Sequence, residues 1–192
     1  NISLGSHSRT TRDLQQLRQG GFNREDVGEG EETIPYGISL IQADLLWNVK
    51  QTNEIVQLCV VDTGYNLGHD DLPIGPSFVD GTSTEAGIWP VDGHGHGTHT
   101  SGTVAAVGGN DIGVVGVRKN PLVQLIHAGR GMDDDGEGFA STILAAVQAC
   151  ADAGAKVISM SLGGSASTQV EERFYQDIYN QDILIVASAG ND

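Results

Sequence analysis

The chain has 192 residues, near the size of one domain and long enough to bury a substantial core. Ten lysines and arginines stand against 25 aspartates and glutamates, and the net charge of −15 excludes the basic footprint of a nucleic-acid binder. No apolar run approaches the ~18 residues of a membrane helix, so no membrane span is predicted.

The charge is unevenly spread. Residues 1–24 hold four arginines (Arg9, Arg12, Arg18, Arg24) against Asp13, net +3, whereas residues 25–192 hold six basic and 24 acidic groups, net −18. That step, followed by the polar run from Glu25 to Glu32, sets a boundary near residue 30. Residues 1–30 then read as an extension or propeptide remnant, with a short helix around Leu14 and Leu17, and 31–192 as the folded domain. No signal peptide is visible.

From there strands and helices alternate. Residues 38–47 read as a helix. Ile55–Val61 is a nearly continuous β-rich run, as expected of a strand buried on both faces. Residues 98–107 read as the next helix, and Leu122–Ile126 as the next strand. Ile143, Leu144, Val147 and Ala151 share one helical face, and Val157–Leu162 is again a strand. Val170, Phe174 and Ile178 share the face of a further helix, for which Thr168 and Glu171 offer a capping box. Ile183–Ala187 is the fourth strand. Such alternation predicts an α/β domain with a mainly parallel sheet flanked by helices, its chemistry gathered beyond the carboxyl ends of the strands. Cys59 lies in an apolar run and Cys150 in a helix, which suits two buried free thiols, with a single disulfide as the alternative.

Three polar points fall at that edge. Asp62 ends the first strand, where a fixed, partly desolvated carboxylate can orient a histidine or simply cap a turn. His94, His96 and His99 lie in the glycine-rich stretch Asp92–Gly97 and the helix after it. Asn191 follows the last strand, where its amide can donate to a developing oxyanion or belong to an ordinary turn.

Four motifs in order, Val60-Val61-Asp62-Thr63-Gly64, His96-Gly97-Thr98-His99 with Gly102–Ala106, Ser161-Leu162-Gly163-Gly164 and Ala189-Gly190-Asn191, resemble the signatures of the subtilisin-like serine proteases. Thr33–Ile38 is similar to the start of that family's mature domain, and the resemblance covers about residues 31–192. It implies a subtilisin-like α/β fold, incomplete at its C-terminal end, and secretion. It implies that Asp62 orients the imidazole of His96, that His96 is general base and then acid for a serine, and that Asn191 donates to the oxyanion. It also implies an extended substrate between Gly136-Glu137-Gly138 and Ser161-Leu162-Gly163, with Gly163, Gly164, Ala189 and Gly190 walling a roomy primary pocket for a large apolar side chain. The acidic residues Asp133, Asp134, Asp135 and Glu137 beside that cleft either favour basic substrate residues or form a solvated loop.

The same resemblance implies a calcium (Ca2+) site. Asp71 and Glu32 stand at ligand positions, with Asn110 giving its side-chain oxygen and Gly108, Ile112 and Val114 their carbonyls; oxygen donors on a tight loop suit a hard cation. His99 reads as a packing or hydrogen-bonding residue and His94 as a rim residue. The family's nucleophilic serine, in a Gly-Thr-Ser context, is expected beyond residue 192, so residues 1–192 alone should be inactive and of low stability. Two other readings are a peptide-binding module that retains only the cleft and the calcium loop, and a metallohydrolase using His94, His96 and His99. The expected partners are a peptide or protein substrate and the chain's own propeptide.

Overall fold

The computed structural model describes residues 2–3, 32–47, 49, 56–119, 126–164 and 166–191. Its elements are β1 (Ile2–Ser3), α1 (Tyr36–Leu40), a 3₁₀ turn (Ala43–Leu46), β2 (Leu58–Asp62), β3 (Val79–Thr82), α2 (His96–Ala105), β4 (Ile126–Arg130), β5 (Glu137–Gly138), α3 (Ala140–Asp152), β6 (Val157–Met160), α4 (Gln169–Tyr179) and β7 (Leu184–Ala187). The five longer strands form one parallel sheet in the order β3-β4-β2-β6-β7. β2 is central, and the chain leaves it towards β3 and β4 before crossing back to β6. Its carboxyl end is therefore the switch point between the two halves of the sheet, where such folds open a crevice.

Side chains on β2 alternate between two cores. Cys59 and Val61 face a cluster with Ile143, Ala146, Val147, Cys150, Ile158 and Ile178, which brings in α3 and α4. Val60 faces the other side, with Tyr65, Leu72, Val79, Ala105 and Ile126, which brings in α2.

The expected parallel α/β architecture holds, with local corrections. β3 is a fifth parallel strand that the sequence pattern does not announce, because Asp80-Gly81 reads as a turn. β4 runs on through His127 and Arg130, and all five of its residues are buried. Partners make this tolerable: His127 Nδ1 lies 2.9 Å from Asp80 Oδ1 and its Nε2 lies 2.9 Å from Thr82 Oγ1. Arg130 donates to the carbonyls of Ala86, Ile88 and Val91 and, at 2.7 Å, to Asp134. The predicted strand residues Leu122–Leu125 and Ile55, and the helix at Leu14 and Leu17, lie outside the described residues.

The expected helix over 38–47 is two short pieces, α1 and the 3₁₀ turn, separated at Gln42, whose φ is +61°. The face of α3 is centred on Ile143, Ala146, Val147 and Cys150, with Leu144 only half-buried. On α4 the expected Val170 is 70% exposed, and the buried face is carried by Glu171 and Ile178 with Phe174 and Tyr175 partly covered. In the first turn it is Glu171, next to Val170, that takes the buried position. The capping box is present: the Glu171 amide donates to the Thr168 hydroxyl at 3.2 Å and the Thr168 amide to the Glu171 carboxylate at 2.8 Å.

Cys59 and Cys150 are joined, which corrects the expectation of free thiols. β2 and α3 press together in the first core, and their Cα atoms stand 5.8 Å apart, within the span a disulfide bridges. Apolar surface remains open elsewhere. Edge strand β7 exposes Leu184 and Val186, and a cavity of about 700 Å³ between α1 and α2 is lined by Ile38, Leu72, Ala106 and Val115.

Candidate active site

Asp62 is the last residue of β2, 1% exposed. Its backbone carbonyl accepts from the Gly131 and Met132 amides at 2.9 and 3.2 Å, which fixes the strand end against the segment leaving β4. Its carboxylate accepts from the Thr63 amide at 2.7 Å and the Thr100 hydroxyl at 3.2 Å. His96, the first residue of α2, places Nδ1 2.8 and 2.9 Å from the two carboxylate oxygens. A buried acid thus holds one ring nitrogen and leaves Nε2 to the outside.

Two glycines make this approach possible. Gly95, the helix N-cap, takes φ of +89°, a conformation that suits a residue without a side chain. A Cβ on Gly97 would lie 2.2 Å from the Gly64 carbonyl oxygen, so α2 sits against the end of β2 more closely than any side chain allows. The hydrogen bond to Asp62 raises the His96 pKa, burial opposes it, and the charges of Asp62 and Asp92 add to the rise.

The other histidines are not gathered with His96. The His94 ring stands edge-on at 6.1 Å, and His99, exposed and with no hydrogen bond to its ring among the described residues, borders the α1–α2 cavity. No group of three or more His, Cys, Asp and Glu placed to hold a metal ion occurs among the described residues. The histidine-cluster arrangement is therefore not the one built here.

β5, the expected substrate edge at Glu137–Gly138, pairs with a strand of the same chain. Ile2 lies opposite Gly138 and Ser3 opposite Glu137, antiparallel. Across the cleft, the ends of β6 and β7 are tied together by the Ser188 amide on the Met160 carbonyl at 3.2 Å and the Ser188 hydroxyl on the Leu162 carbonyl at 3.1 Å. This sets Ser161-Leu162-Gly163 beside Ala189-Gly190. A Cβ at Gly163 or Gly190 would meet nothing within 4 Å, so both border open space, and Gly164 is exposed. Asn191 is exposed after β7 and makes no hydrogen bond within the described residues.

Two of the four acidic residues at the cleft are engaged in structure. Asp134 accepts from Arg130 and, at 3.0 Å, from the Gly93 amide, and the Arg130 bond is the main cause of its lowered pKa. Asp133 accepts from the Asp135 and Glu137 amides at 3.0 Å, closing the turn before β5 around buried Gly136. Asp135 and Glu137 remain solvated.

Of the residues expected at a calcium site, Glu32, Asp71, Asn110, Ile112 and Val114 are linked by hydrogen bonds around one loop. Asp71, 4% exposed, accepts from Asn110 Nδ2 at 2.9 Å and from the Val114 amide at 2.9 Å. Glu32 reaches the same loop, accepting from the Gly109 amide at 2.5 Å and the Asn110 amide at 3.4 Å, and Asn110 Oδ1 accepts from the Ile112 amide at 3.0 Å. Thr33 bridges to Val114 in parallel register. Here the two carboxylates face N–H donors of the loop, and with the Asn110 amide turned to present its oxygen they would offer a hard cation three oxygen-bearing side chains.

Fold and site together define an α/β protein with a parallel sheet and an acid–imidazole pair at its carboxyl edge. The chain belongs to the subtilase family, whose model matches residues 53–192. It is 37% identical to subtilisin DY of Bacillus licheniformis over 83% of this chain and 56% of that protein, and 34% identical to thermitase of Thermoactinomyces vulgaris over 81% and 54%. The chain thus spans about half the length of the curated relatives it matches. Its fold is subtilisin-like: it superposes on the crystal structure of the psychrophilic subtilisin-like protease Apa1 from the Antarctic psychrotroph Pseudoalteromonas sp. AS-11 with a TM-score of 0.72 at 36% identity, covering 83% of this chain and 36% of that one. No helix among the described residues is long and apolar enough to cross a membrane.

Proposed function

We propose that the chain is the N-terminal part of a serine endopeptidase. The observation that carries this reading is the bond between the buried carboxylate of Asp62 and His96 Nδ1 at the switch point of the sheet. With Nδ1–H donated to Asp62, Nε2 is the basic nitrogen. It takes the proton of a serine hydroxyl, supplied by sequence beyond residue 192, as that oxygen attacks the peptide carbonyl. The imidazolium formed is stabilised by Asp62 and then returns the proton to the leaving amine. Asn191 donates to the oxyanion of the tetrahedral intermediate. On this reading residues 1–192 alone are inactive.

The substrate lies extended along β5 and Ser161-Leu162-Gly163. The antiparallel pairing of β1 with β5 supports this, because that edge already accepts a peptide strand. It also supports the chain's own N-terminal segment as a cleft partner. Open space beside Gly163 and Gly190 favours a large apolar side chain before the scissile bond, and a peptide-library profile peaking at Arg or Lys would remove that preference.

Calcium bound by Glu32, Asp71, Asn110 and the carbonyls of Gly108, Ile112 and Val114 would brace the segment before α1 against the 108–114 loop; its role is structural. The Cys59–Cys150 disulfide suits an oxidising, extracellular setting.

The test is labelling of the protein with a serine-directed fluorophosphonate, carried out on a polypeptide that extends beyond residue 192. Labelling lost in His96→Ala supports the reading. Absent labelling, with peptide hydrolysis abolished by a zinc chelator, overturns it.

A further inference from the structure

Asp92, in the loop before α2, is bound on every side. Its Oδ1 accepts from the Thr63 hydroxyl at 2.8 Å and the Gly95 amide at 2.8 Å. Its Oδ2 accepts from the Thr98 amide at 2.7 Å and the Thr98 hydroxyl at 2.5 Å. The Thr63 hydroxyl in turn accepts from the Gly97 amide at 3.0 Å. Thr63 directly follows Asp62, and Gly95, Gly97 and Thr98 bracket His96. One carboxylate therefore ties the end of β2 to both sides of the first turn of α2.

The need for such a tie follows from the backbone. Gly95 stands at the N-cap with positive φ and no side chain, so the first turn of α2 lacks the local cap that would satisfy its free amides. Asp92 supplies that cap from three residues upstream and reaches across to Thr63 as well. Its negative charge also suits the positive end of the helix.

We propose that Asp92 is a positioning residue, setting the approach of α2 to β2 so that the His96 ring meets Asp62. The inference rests on the acid–imidazole reading above. Three groups bear on the His96 ring: Asp62 from β2, Asp92 from the loop and the edge-on ring of His94. The Asp92 charge favours the imidazolium. Burial works against the ionised carboxylate, but the bonds from the Thr98 side chain and amide, the Gly95 amide and Thr63 outweigh it and lower its pKa, so the charge is present at neutral pH.

The experiment is NMR on a polypeptide that extends beyond residue 192, following the His96 ring nitrogens against pH together with the low-field Nδ1 proton. Asp92→Asn keeps the shape, removes the charge and points an amide at former donors. It is expected to lower the His96 midpoint and to lose or shift the Nδ1 proton, while amides of α3 and β6 stay at native positions. An unchanged midpoint and proton in a native spectrum overturn the proposal. Asp62→Asn is the separating control: if it leaves the midpoint where it was, the acid–imidazole reading fails instead. Should Asp92→Asn not fold, Thr63→Val carries the test, since it cuts the bond from Asp92 to the residue after β2, together with the Gly97 amide bond to the same hydroxyl, and leaves the charge. It is expected to shift the Nδ1 proton, and an unmoved proton counts against Asp92.

Discussion

Cutting the Cys59–Cys150 link should remove a large share of the fold's stability. The two residues are 91 apart in sequence, and the denatured-chain entropy lost on closing a loop of that length amounts to about 4.5 kcal/mol at 25 °C. Both positions are fully buried, so replacing the sulfur-bearing side chains with alanine adds roughly 1 kcal/mol each in lost contacts. Native domains hold about 5–15 kcal/mol in total. The margin here is reduced further by open apolar surface on β7 and between α1 and α2, so the link accounts for much of what remains. Urea unfolding followed by circular dichroism should show the midpoint falling by more than half on reduction, with the Cys59→Ala, Cys150→Ala double variant lower still because it also loses the buried side-chain contacts. A reduced chain that unfolds at the same urea concentration as the oxidised one would refute this reasoning.

Asp62→Asn should destabilise the fold in a pH-dependent way. The His96 pKa is raised in the folded state, so the pair's contribution is fully present below the unfolded value near 6.5 and fades as pH rises through the folded value. Unfolding at pH 5 should show a loss of about 1.5–3 kcal/mol, the range for a hydrogen bond to a charged group, and a smaller loss at pH 9; equal losses would count against the pairing. Glu32→Ala should weaken calcium binding by about tenfold in isothermal titration, ~1.4 kcal/mol, and unchanged affinity removes Glu32 from the site. Gly97→Ala should cost at least about 1–3 kcal/mol through overpacking against the Gly64 carbonyl and should move the His96 Nδ1 resonance; a variant of native stability would show that α2 can back away without harm.

What could be read in advance was whatever is written locally. Asp62 closes an apolar run, His96 opens a helix after a glycine-rich stretch, and Thr168 and Glu171 sit at capping-box spacing, so each is visible within a few residues. What escaped depends on chain segments that meet only in the fold. β4 carries His127 and Arg130, which look like surface residues until β3 brings Asp80 and Thr82, and the 86–91 loop brings its carbonyls. The disulfide depends on the crossing of α3 over β2, which no spacing of two cysteines encodes. Asp92 escaped for the same reason: its four donors come from residues 63, 95 and 98, and only the left-handed turn at Gly95 turns a loop aspartate into the cap of α2. The acid and the imidazole are thus legible as residue types in a motif, whereas the distance between them is a property of Gly95, Gly97 and Asp92 acting together. Substitutions at those three should therefore disturb the pair more than substitutions at His94, which lies nearer to His96 in sequence than Asp92 does yet only meets the ring edge-on.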